Sequence, residues 1–529
     1  MYKPSSNMPL NSFQVVNPCE NQTNFRAGQI IRFIIPRSIG FWDPHTSRLQ
    51  LEVGTLLNNY KMCFAHDCGV ASLIDMIRIS QNGVVLSETT EYATLNNLFT
   101  LYSDSLSIKQ RNSTQNGARD LCVPVVGDGT VWPPAGLLPR TSSSGAVLGE
   151  PLNGASTASN NMDRTPKKYQ LELRGIGLFE LLSVVPSIAL GDILIEIRLV
   201  NNNKDGIKIH PATGIPQVLS TAFANGSDSC KLSPPFLGFT NLSDSPYAIG
   251  MQVTPVDANG GTPAAALTIT GLSQDRDNGE ITLTFNGNAG AANPNILIST
   301  GNEGTANSLA GTAFQVSRAS MLLQVVRPPQ QYIESVAAKV QEGLMLDLNT
   351  YTTYRTSVTA GIKTVTVDIP AMMSRAKAIF SVPRPQTKGE FLPAGETPDN
   401  LNGSNILGQY DGLLRYRTQI GELYYPNQPV QLDQFVKDRQ CHFSAQHIVE
   451  LEKALNASRI PLRSLESCKQ NFCIPRVLAK YGATVSLDKG VRLYLEYNGN
   501  GATDPLDVVT FVNHINRVMI TPAGLEILS

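Results

Sequence analysis

The stretch "ILIEIRLV" (193–200) alternates apolar and polar side chains along its length. Because the side chains of a β-strand point alternately to opposite faces, its isoleucines would share one face, and Glu196 and Arg198 the other. Such alternation is typical of a strand with one buried and one wetter face. The same pattern recurs in "RLQLEV" (48–53), "ITLTF" (281–285), "KTVTVDI" (363–369) and "VRLYLEY" (491–497). The chain is therefore predicted to be almost entirely β.

Turn signals separate these strands. A glycine preceded by asparagine or aspartate favours a tight turn, because both residues tolerate the left-handed backbone region. Such pairs occur at Asn82-Gly83, Asp128-Gly129, Asn278-Gly279 and Asn498-Gly499. Many short antiparallel strands separated by turns and long polar loops indicate sandwiches rather than a parallel α/β sheet.

Apolar residues at helical spacing predict two short helices, over 330–343 and about 444–456. In the first, they are Ile333, Val336, Ala337 and Val340. In the second, they are Ile448, Leu451 and Leu455. Gly343 suits the end of the first helix, because glycine adopts the left-handed conformation of a C-terminal cap. Both apolar stripes are interpreted as core packing.

The composition describes a large, sparsely charged chain. Its 529 residues suggest roughly two to four domains. Charged residues make up 16%, against about 25% in an average soluble protein, so much of the surface is expected to lie against copies of the chain or other partners. A net charge of −1 offers no electrostatic footprint for nucleic acid, and no sequence-specific nucleic-acid binding is expected. The eight cysteines are sparse and are expected to be reduced and buried.

No catalytic or cofactor-binding motif stands out. The phosphate-binding Gly-Lys-Ser/Thr sequence is absent, and Gly175 and Gly177 lack the third glycine of a dinucleotide fingerprint. "CFAHDC" could present Cys63, His66 and Cys68 to a metal, but no second ligand pair follows at a useful spacing, so neither a metal nor a cofactor is expected. The paired carboxylates of a glycosidase meet in space rather than in sequence, so an enzyme of that kind stays open as a minor alternative.

Two long segments, 127–165 and about 203–312, are too polar and too rich in glycine for a regular core. The second contains short alternating stretches such as "MQVTPV" (251–256) and "LTIT" (267–270), and is predicted to be a β-rich insertion that projects from a larger domain. Loops this long in a compact domain are usually functional or are held by a neighbour.

"LLRYRTQIGELYYPNQPVQL" (413–432) is a strand pattern that breaks at Gly421. Tyr424 and Tyr425 offer broad contact surface at a low entropy cost. The prolines at 426 and 429 are expected to stop further strand pairing. A contact between subunits and an ordinary corner packed on its own domain both fit this stretch. The candidate contacts between subunits are Tyr424, Tyr425, Pro426, Trp132 and Trp42.

Several stretches together resemble one family, the double jelly-roll major capsid proteins, and most closely those of polinton-like viruses and virophages. They are "FIIPRSIGFWDPHTSRLQLEV" (33–53), "DCGVASLIDMIRISQNGVVLSETTEYATLNNL" (67–98), "LFELLSVVPSIALGDILIEIRLV" (178–200), "RPPQQYIESVAAKVQEGLMLDLNTYTTYRTSV" (327–358), "SRAKAIFSVPRP" (374–385) and the 413–432 stretch. The likeness covers most of the chain outside the two long polar segments.

This resemblance implies an all-β fold of two consecutive eight-stranded jelly-roll sandwiches with short helices and long loop insertions. It implies a structural protein and not an enzyme: a major capsid protein whose homotrimers are pseudo-hexagonal capsomers that tile an icosahedral virion. The expected partners are copies of the chain, neighbouring capsomers, and penton and minor capsid proteins. The alternatives are another virion protein, such as a spike or minor capsid protein, or a jelly-roll carbohydrate-binding protein or enzyme.

The expected domains are an N-terminal arm (1–28), a first jelly roll (29–327) that carries the insertion at about 203–312, and a second jelly roll (328–529). A boundary near Pro328 leaves two rolls of similar size once the insertion is set aside. The rival boundary, near residue 205, would assign the insertion and 314–326 to the second roll. The arm is expected to be ordered by the base of its own chain, a neighbouring chain or an inner-face partner, because it has no core of its own.

Overall fold

The structure is a computed structural model. It describes residues 13–20, 22–55, 60–64, 68–105, 108, 112, 115–117, 167–200, 207–211, 216–218, 226–232, 252–256, 267–274, 281–288, 296–299, 314–386, 408, 413–432, 444–463, 472–479, 483–497 and 505–528. The turn signals at 128, 278 and 498 and the whole 127–165 segment lie outside these residues, as do Trp132 and His66.

Nine strands precede the insertion in the described residues. They are β1 (Phe13–Val16), β2 (Ile30–Ile35), β3 (Phe41–Thr55), β4 (Tyr60–Phe64), β5 (Ile74–Gln81), β6 (Val84–Thr90), β7 (Lys167–Leu171), β8 (Val185–Pro186) and β9 (Ile193–Leu199). The strands of the insertion are β10 (Ile207–Pro211), β11 (Pro216–Val218), β12 (Ser229–Leu232), β13 (Gln252–Val256), β14 (Leu267–Gln274), β15 (Ile281–Phe285) and β16 (Ile296–Ser299). The strand β17 (Phe314–Val326) follows it.

The remaining strands are β18 (Leu344–Val358), β19 (Thr364–Ile369), β20 (Ala376–Pro385), β21 (Leu413–Ile420), β22 (Leu423–Gln431), β23 (Ile474–Val477), β24 (Val491–Tyr497), β25 (Leu506–Thr521) and β26 (Gly524–Leu528). The α-helices of the described residues are α1 (Tyr92–Ser103), α2 (Ser187–Leu190), α3 (Gln330–Glu342) and α4 (Ala445–Ala457). Short 3₁₀ helices span Arg37–Ile39, Gly69–Leu73 and Gly177–Glu180.

Two sandwiches of identical strand order contain most of these strands. The first has sheets β1-β17-β3-β7 and β2-β9-β5-β6, and the second has β18-β25-β20-β23 and β19-β24-β21-β22. Counting the eight main strands of each sandwich in chain order, both have sheets 1-8-3-6 and 2-7-4-5, the order of a jelly roll. Two further strands, β8 and β26, extend the first sheet of each roll. The predicted double jelly roll is confirmed.

The alternating patterns fill the cores as predicted. Every second side chain of β9, from Ile193 to Leu199, is buried, and so are the three apolar residues of "RLQLEV". In β24, Val491, Leu493 and Leu495 point into the second roll. Burying a large aliphatic side chain contributes about 1.5–3 kcal/mol, so these faces supply much of the folding free energy.

Both predicted helices are present. Gly343 closes α3 with a φ of 96°, and Ser444 begins α4 by accepting a hydrogen bond from the backbone N–H of His447. The predicted face of α3 is partly wrong. Val336 is buried, but Ala337 is exposed, and Tyr332 packs on Phe41 instead. The helix lies against one end of the first roll. The helical spacing of its apolar residues did not predict this position.

The strand β17 belongs to the sheet of the first roll, because it pairs with β1 and β3. We keep the domain boundary near Pro328 as a proposal, which this pairing supports against the rival boundary. Part of the expected arm is also in that sheet, since β1 is its edge strand and Phe25 forms an antiparallel bridge with Val316. Within 203–312, six strands pair with one another in the order β11-β16-β13-β14-β15-β12, around a small core that includes Val253, Ile269 and Leu283.

The long connections of each roll lie at one end of it, because neighbouring strands pair antiparallel. The chain leaves β6 and β9 at the end where it enters β5, because β5 pairs antiparallel with both. The second roll repeats this arrangement with β22, β24 and β21. We call this end the insertion end, because the insertion follows β9 there. The opposite, terminal end holds the start of β1, the helix α3, and the tight turn at Asn82-Gly83, whose residues both have positive φ.

A tight approach at Gly177 offers a test of how closely the rolls are packed. A Cβ at this position would lie 2.7 Å from Cβ of Ser87, a side chain that itself contacts the second roll. Gly40 also has a positive φ, but nothing lies within 4 Å of a Cβ there. We expect Gly177→Ala to lower the free energy of unfolding by about 1–3 kcal/mol more than Gly40→Ala, as overpacking does. Urea denaturation measures the difference, and equal losses would contradict it.

Candidate functional site

The two rolls of the chain meet along the edge strands β6 and β18. The Ser87 and Thr350 hydroxyls lie 2.7 Å apart, and Thr89 donates a hydrogen bond to the Tyr351 carbonyl at 3.2 Å. Thr353 donates to the Thr90 carbonyl at 2.9 Å. The residue numbers of the contacting pairs therefore increase together along both strands, so β6 and β18 run parallel. The insertion ends of the two rolls consequently lie on the same side of the molecule.

Helix α1 extends this contact into the second roll. It follows β6 in the chain, and all twelve of its residues are buried. Leu95, Leu98 and Phe99 belong to the apolar core of the second roll, and the Phe99 ring lies 5.4 Å from that of Tyr351. In return, Leu346 and Leu348 of β18 join the core of the first roll. Each roll therefore completes the other's core.

A partly buried ion pair lies at the insertion side of the same contact. The Arg384 guanidinium, on β20, donates to both carboxylate oxygens of Glu91 at 2.9 and 3.1 Å, and to the Thr94 hydroxyl at 2.9 Å. Arg355 approaches the same carboxylate at 3.5 Å and also pairs with Asp507. Sequence reasoning did not identify Glu91 or Arg384. The available signal was a charged residue between two prolines at the end of the largely apolar stretch "AIFSVPRP" (378–385).

The 413–432 stretch is a β-hairpin whose second strand, β22, forms one edge of its sheet. Gly421 allows the turn with a φ of 59°. The prolines were expected to stop strand pairing, and this is wrong. The ladder is interrupted opposite Arg417, between Tyr425 and Val430, and then resumes. A bulge absorbs the prolines, because an edge strand can lack the hydrogen bonds that proline removes.

The predicted contact residues of the hairpin are half-buried. Tyr424 packs beneath the Arg417 guanidinium, 4.1 Å from its ring centre, and against Tyr494 at 5.9 Å. Tyr425 receives the Arg476 guanidinium at 5.1 Å. Pro426 follows at the start of the bulge. The structure thus brings these three candidates together at one sheet edge, and their role between subunits stays a prediction.

The two tryptophans are placed differently. Trp42 is 0% exposed, its ring centre lies 5.3 Å from that of Phe179, and its indole N–H donates to the Ser187 hydroxyl at 2.9 Å. Its side chain has no free surface for another chain, so the structure assigns it to the first core instead. Trp132 lies outside the described residues.

Buried histidines lie in the second roll. The Tyr416 hydroxyl is 2.7 Å from Nδ1 of His447, whose ring stacks on Phe472. Burial lowers the pKa of His447 to about 3. Nε2 of His514 lies 2.8 Å from the Thr352 hydroxyl, and burial lowers its pKa to about 4. Both groups resist protonation because their surroundings penalise the charged form.

No metal-binding group of three or more histidine, cysteine or acidic side chains occurs in the described part of the chain. Cys19, Cys68, Cys230 and Cys473, whose side chains are described, are free thiols. Three of these are buried as expected, and Cys19 is exposed. Among the helices that the structure describes, none is long and apolar enough to cross a membrane.

Comparison with known proteins identifies the fold. No protein-family model matches the sequence, and no curated protein matches it. The structure is similar to the Faustovirus major capsid protein, with a TM-score of 0.51 and 10% identity over 98% of this chain and 92% of that chain. It is also similar to the protein of the PBCV-1 virus capsid, with a TM-score of 0.50 and 9% identity over 100% of this chain and 98% of that chain. The chain is a double jelly-roll protein.

The ion pair between the rolls can be tested against an exposed one. Arg384→Met removes the bidentate partner of Glu91, whose side chain is 23% exposed, and we expect the free energy of unfolding to fall by about 1.5–3 kcal/mol. Arg517 and Asp347, whose side chains are 36% and 42% exposed, provide the control pair. Arg517→Met is expected to cost much less, because solvent screens an exposed pair. Denaturant titration distinguishes the two, and similar losses would show that burial adds nothing.

Acid sensitivity follows from the buried histidines. The folded state holds His447 with a depressed pKa of about 3, whereas the unfolded chain binds a proton near pH 6.5. Stability therefore falls as the pH drops from about 6.5, since only the unfolded state takes up that proton. We expect His447→Gln to lose less stability than the parent chain between pH 7 and pH 4. Parallel profiles in thermal melts would contradict this.

Proposed function

We propose that the chain is the major capsid protein of an icosahedral virus. The observation that carries this proposal is that one chain contains two jelly rolls of the same topology. Their insertion ends lie on the same side of the molecule. Two solved structures that share this fold along nearly their whole length are those of viral capsid proteins. The chain's own duplicated architecture supports the same role.

The mechanism that we propose is geometric. Each chain supplies two upright rolls of like topology, so three chains supply six rolls around one axis. Six similar rolls make a pseudo-hexagonal tile, and such tiles pave the faces of a closed shell. Obligate interfaces of this kind bury on the order of 2,000–5,000 Å². The low charged fraction of 16% reduces the desolvation cost of that burial.

The two ends of the molecule take different roles in this proposal. The insertion end carries the independently paired sheet within 203–312, so we place it on the outer surface of the shell. The terminal end, with β1 and α3, then faces inward. Neighbouring capsomers, together with penton and minor capsid proteins, are the proposed partners within the virion. The proposed role is structural and requires no cofactor.

The mass and outline of the purified chain test this function. We expect light scattering to give three times the chain mass of 57.2 kDa, and negative-stain images to show a hexagonal outline with three-fold symmetry. The trimer should persist on dilution to nanomolar concentration, because a large obligate interface dissociates slowly. A monomer, or an elongated fibre without a hexagonal face, would contradict the proposal.

A further inference from the structure

The contact between the two rolls of one chain uses one edge from each. In the first roll, it uses β6, the edge of the sheet β2-β9-β5-β6. In the second, it uses β18, the edge of the sheet β18-β25-β20-β23. Beyond the hydroxyl contacts, Asn516 of β25 donates to the Leu86 carbonyl at 3.1 Å. Leu86 is the bulged residue of β6, because Ile79 pairs with Ser87 and Ser80 with Val85.

Because both rolls have the same topology, each has a counterpart of the edge that the other uses. The counterpart of β6 in the second roll is β22, and the counterpart of β18 in the first roll is β1. Both lie at sheet edges. Phe13 and Val15 of β1 are 54% and 55% exposed, and Leu423 of β22 is 62% exposed. Each edge that is buried between the two rolls therefore has an exposed counterpart on the other roll.

The details of the two free edges match the buried contact. On β18, the residues that face the first roll include two apolar ones, Leu346 and Leu348. On β1, Phe13 and Val15 point outward, since the next residue, Val16, lies in the core. Like β6, β22 carries a bulge midway along the strand, and it exposes Asn427 and Gln428 there.

The helices that follow the two edge strands show the same relationship. Helix α1, after β6, is buried along its whole length, and its Leu95, Leu98 and Phe99 pack in the core of the second roll. Helix α4 occupies the corresponding connection after β22 and buries only one side. Val449, on its other side, is 44% exposed. A further roll placed against β22 would cover the side of α4 that its own chain leaves open.

We propose that β22 of one chain packs in parallel along β1 of a second copy, as β6 packs along β18 within the chain. The contact is head-to-tail, with different surfaces on the two copies, and such a contact closes into a ring when its rotation allows. This inference rests on the proposed function, since it names the surfaces through which the capsomer closes. Tyr424, Tyr425 and Pro426 then lie at or beside the subunit interface.

Two edge variants and one control test this arrangement in the full chain. The β1 variant is Phe13→Asp with Val15→Asp, and the β22 variant is Asn427→Asp with Gln428→Asp. All four side chains are exposed, so both variants are expected to fold. The control is Met372→Asp, because Met372 is 81% exposed and lies on neither edge. Circular dichroism and thermal melting check the fold of each variant.

We expect each edge variant alone to run as a monomer in light scattering, and the control to remain a trimer. An equal mixture of the two edge variants should give a species of twice the chain mass, because the intact β22 of one meets the intact β1 of the other. Monomers in the mixture would overturn the head-to-tail pairing. So would a folded edge variant that remains a trimer.

The parent chain and the control separate this inference from the proposed function. Trimers of both, together with trimers of the edge variants, would leave the function standing and overturn the pairing. A monomeric parent chain would overturn the function itself. Hydrogen exchange on the parent chain gives a second readout that needs no variant. Peptides over 13–16 and 423–431 should gain protection when the monomer, obtained in mild denaturant, assembles, and unchanged exchange at both would overturn the pairing.

Discussion

The packing of helix α1 into the second roll is the interaction on which the rest of the molecule depends. A jelly roll buries the inner faces of its two sheets, but the connection after its fifth strand leaves the sandwich. Here that connection is a helix, and its apolar side chains enter the neighbouring core. Separating the rolls would expose this helix and the leucines of β18 together. The chain therefore behaves as one body rather than two domains on a linker.

The polar contacts beside α1 fix how the two rolls are oriented. Apolar burial is non-directional and would tolerate sliding, whereas hydrogen bonds along β6 and β18 hold one register. The bidentate pair between Arg384 and Glu91 adds a strongly directional constraint near the insertion end. With the register held, both insertion ends lie on one side. In the proposed shell, this polarity lets the chain present different chemistry to the two sides.

Repetition of one roll explains features that look unrelated in the single chain. The exposed apolar pair on β1, the tyrosine-rich edge of β22 and the open side of α4 are the counterparts of surfaces that the chain buries internally. A duplicated domain that packs on its own copy in an open, head-to-tail manner always leaves one complementary surface free at each side. The low charge of the chain fits the proposed assembly, since interface cores carry few ionised groups.

The sequence by itself determined the strands, the two amphipathic helices with Gly343 and Ser444 at their ends, and the Asn82-Gly83 turn. These features follow from local periodicity and backbone preference, which neighbouring residues set. Tertiary structure decided the burial of Trp42, the exposure of Ala337, the continuation of β22 past its prolines, and the pairing of Glu91 with Arg384. Each depends on which element lies opposite, and residues 91 and 384 meet only because two rolls pack edge to edge. The periodicity of a sequence does not specify which distant residue lies opposite in the fold.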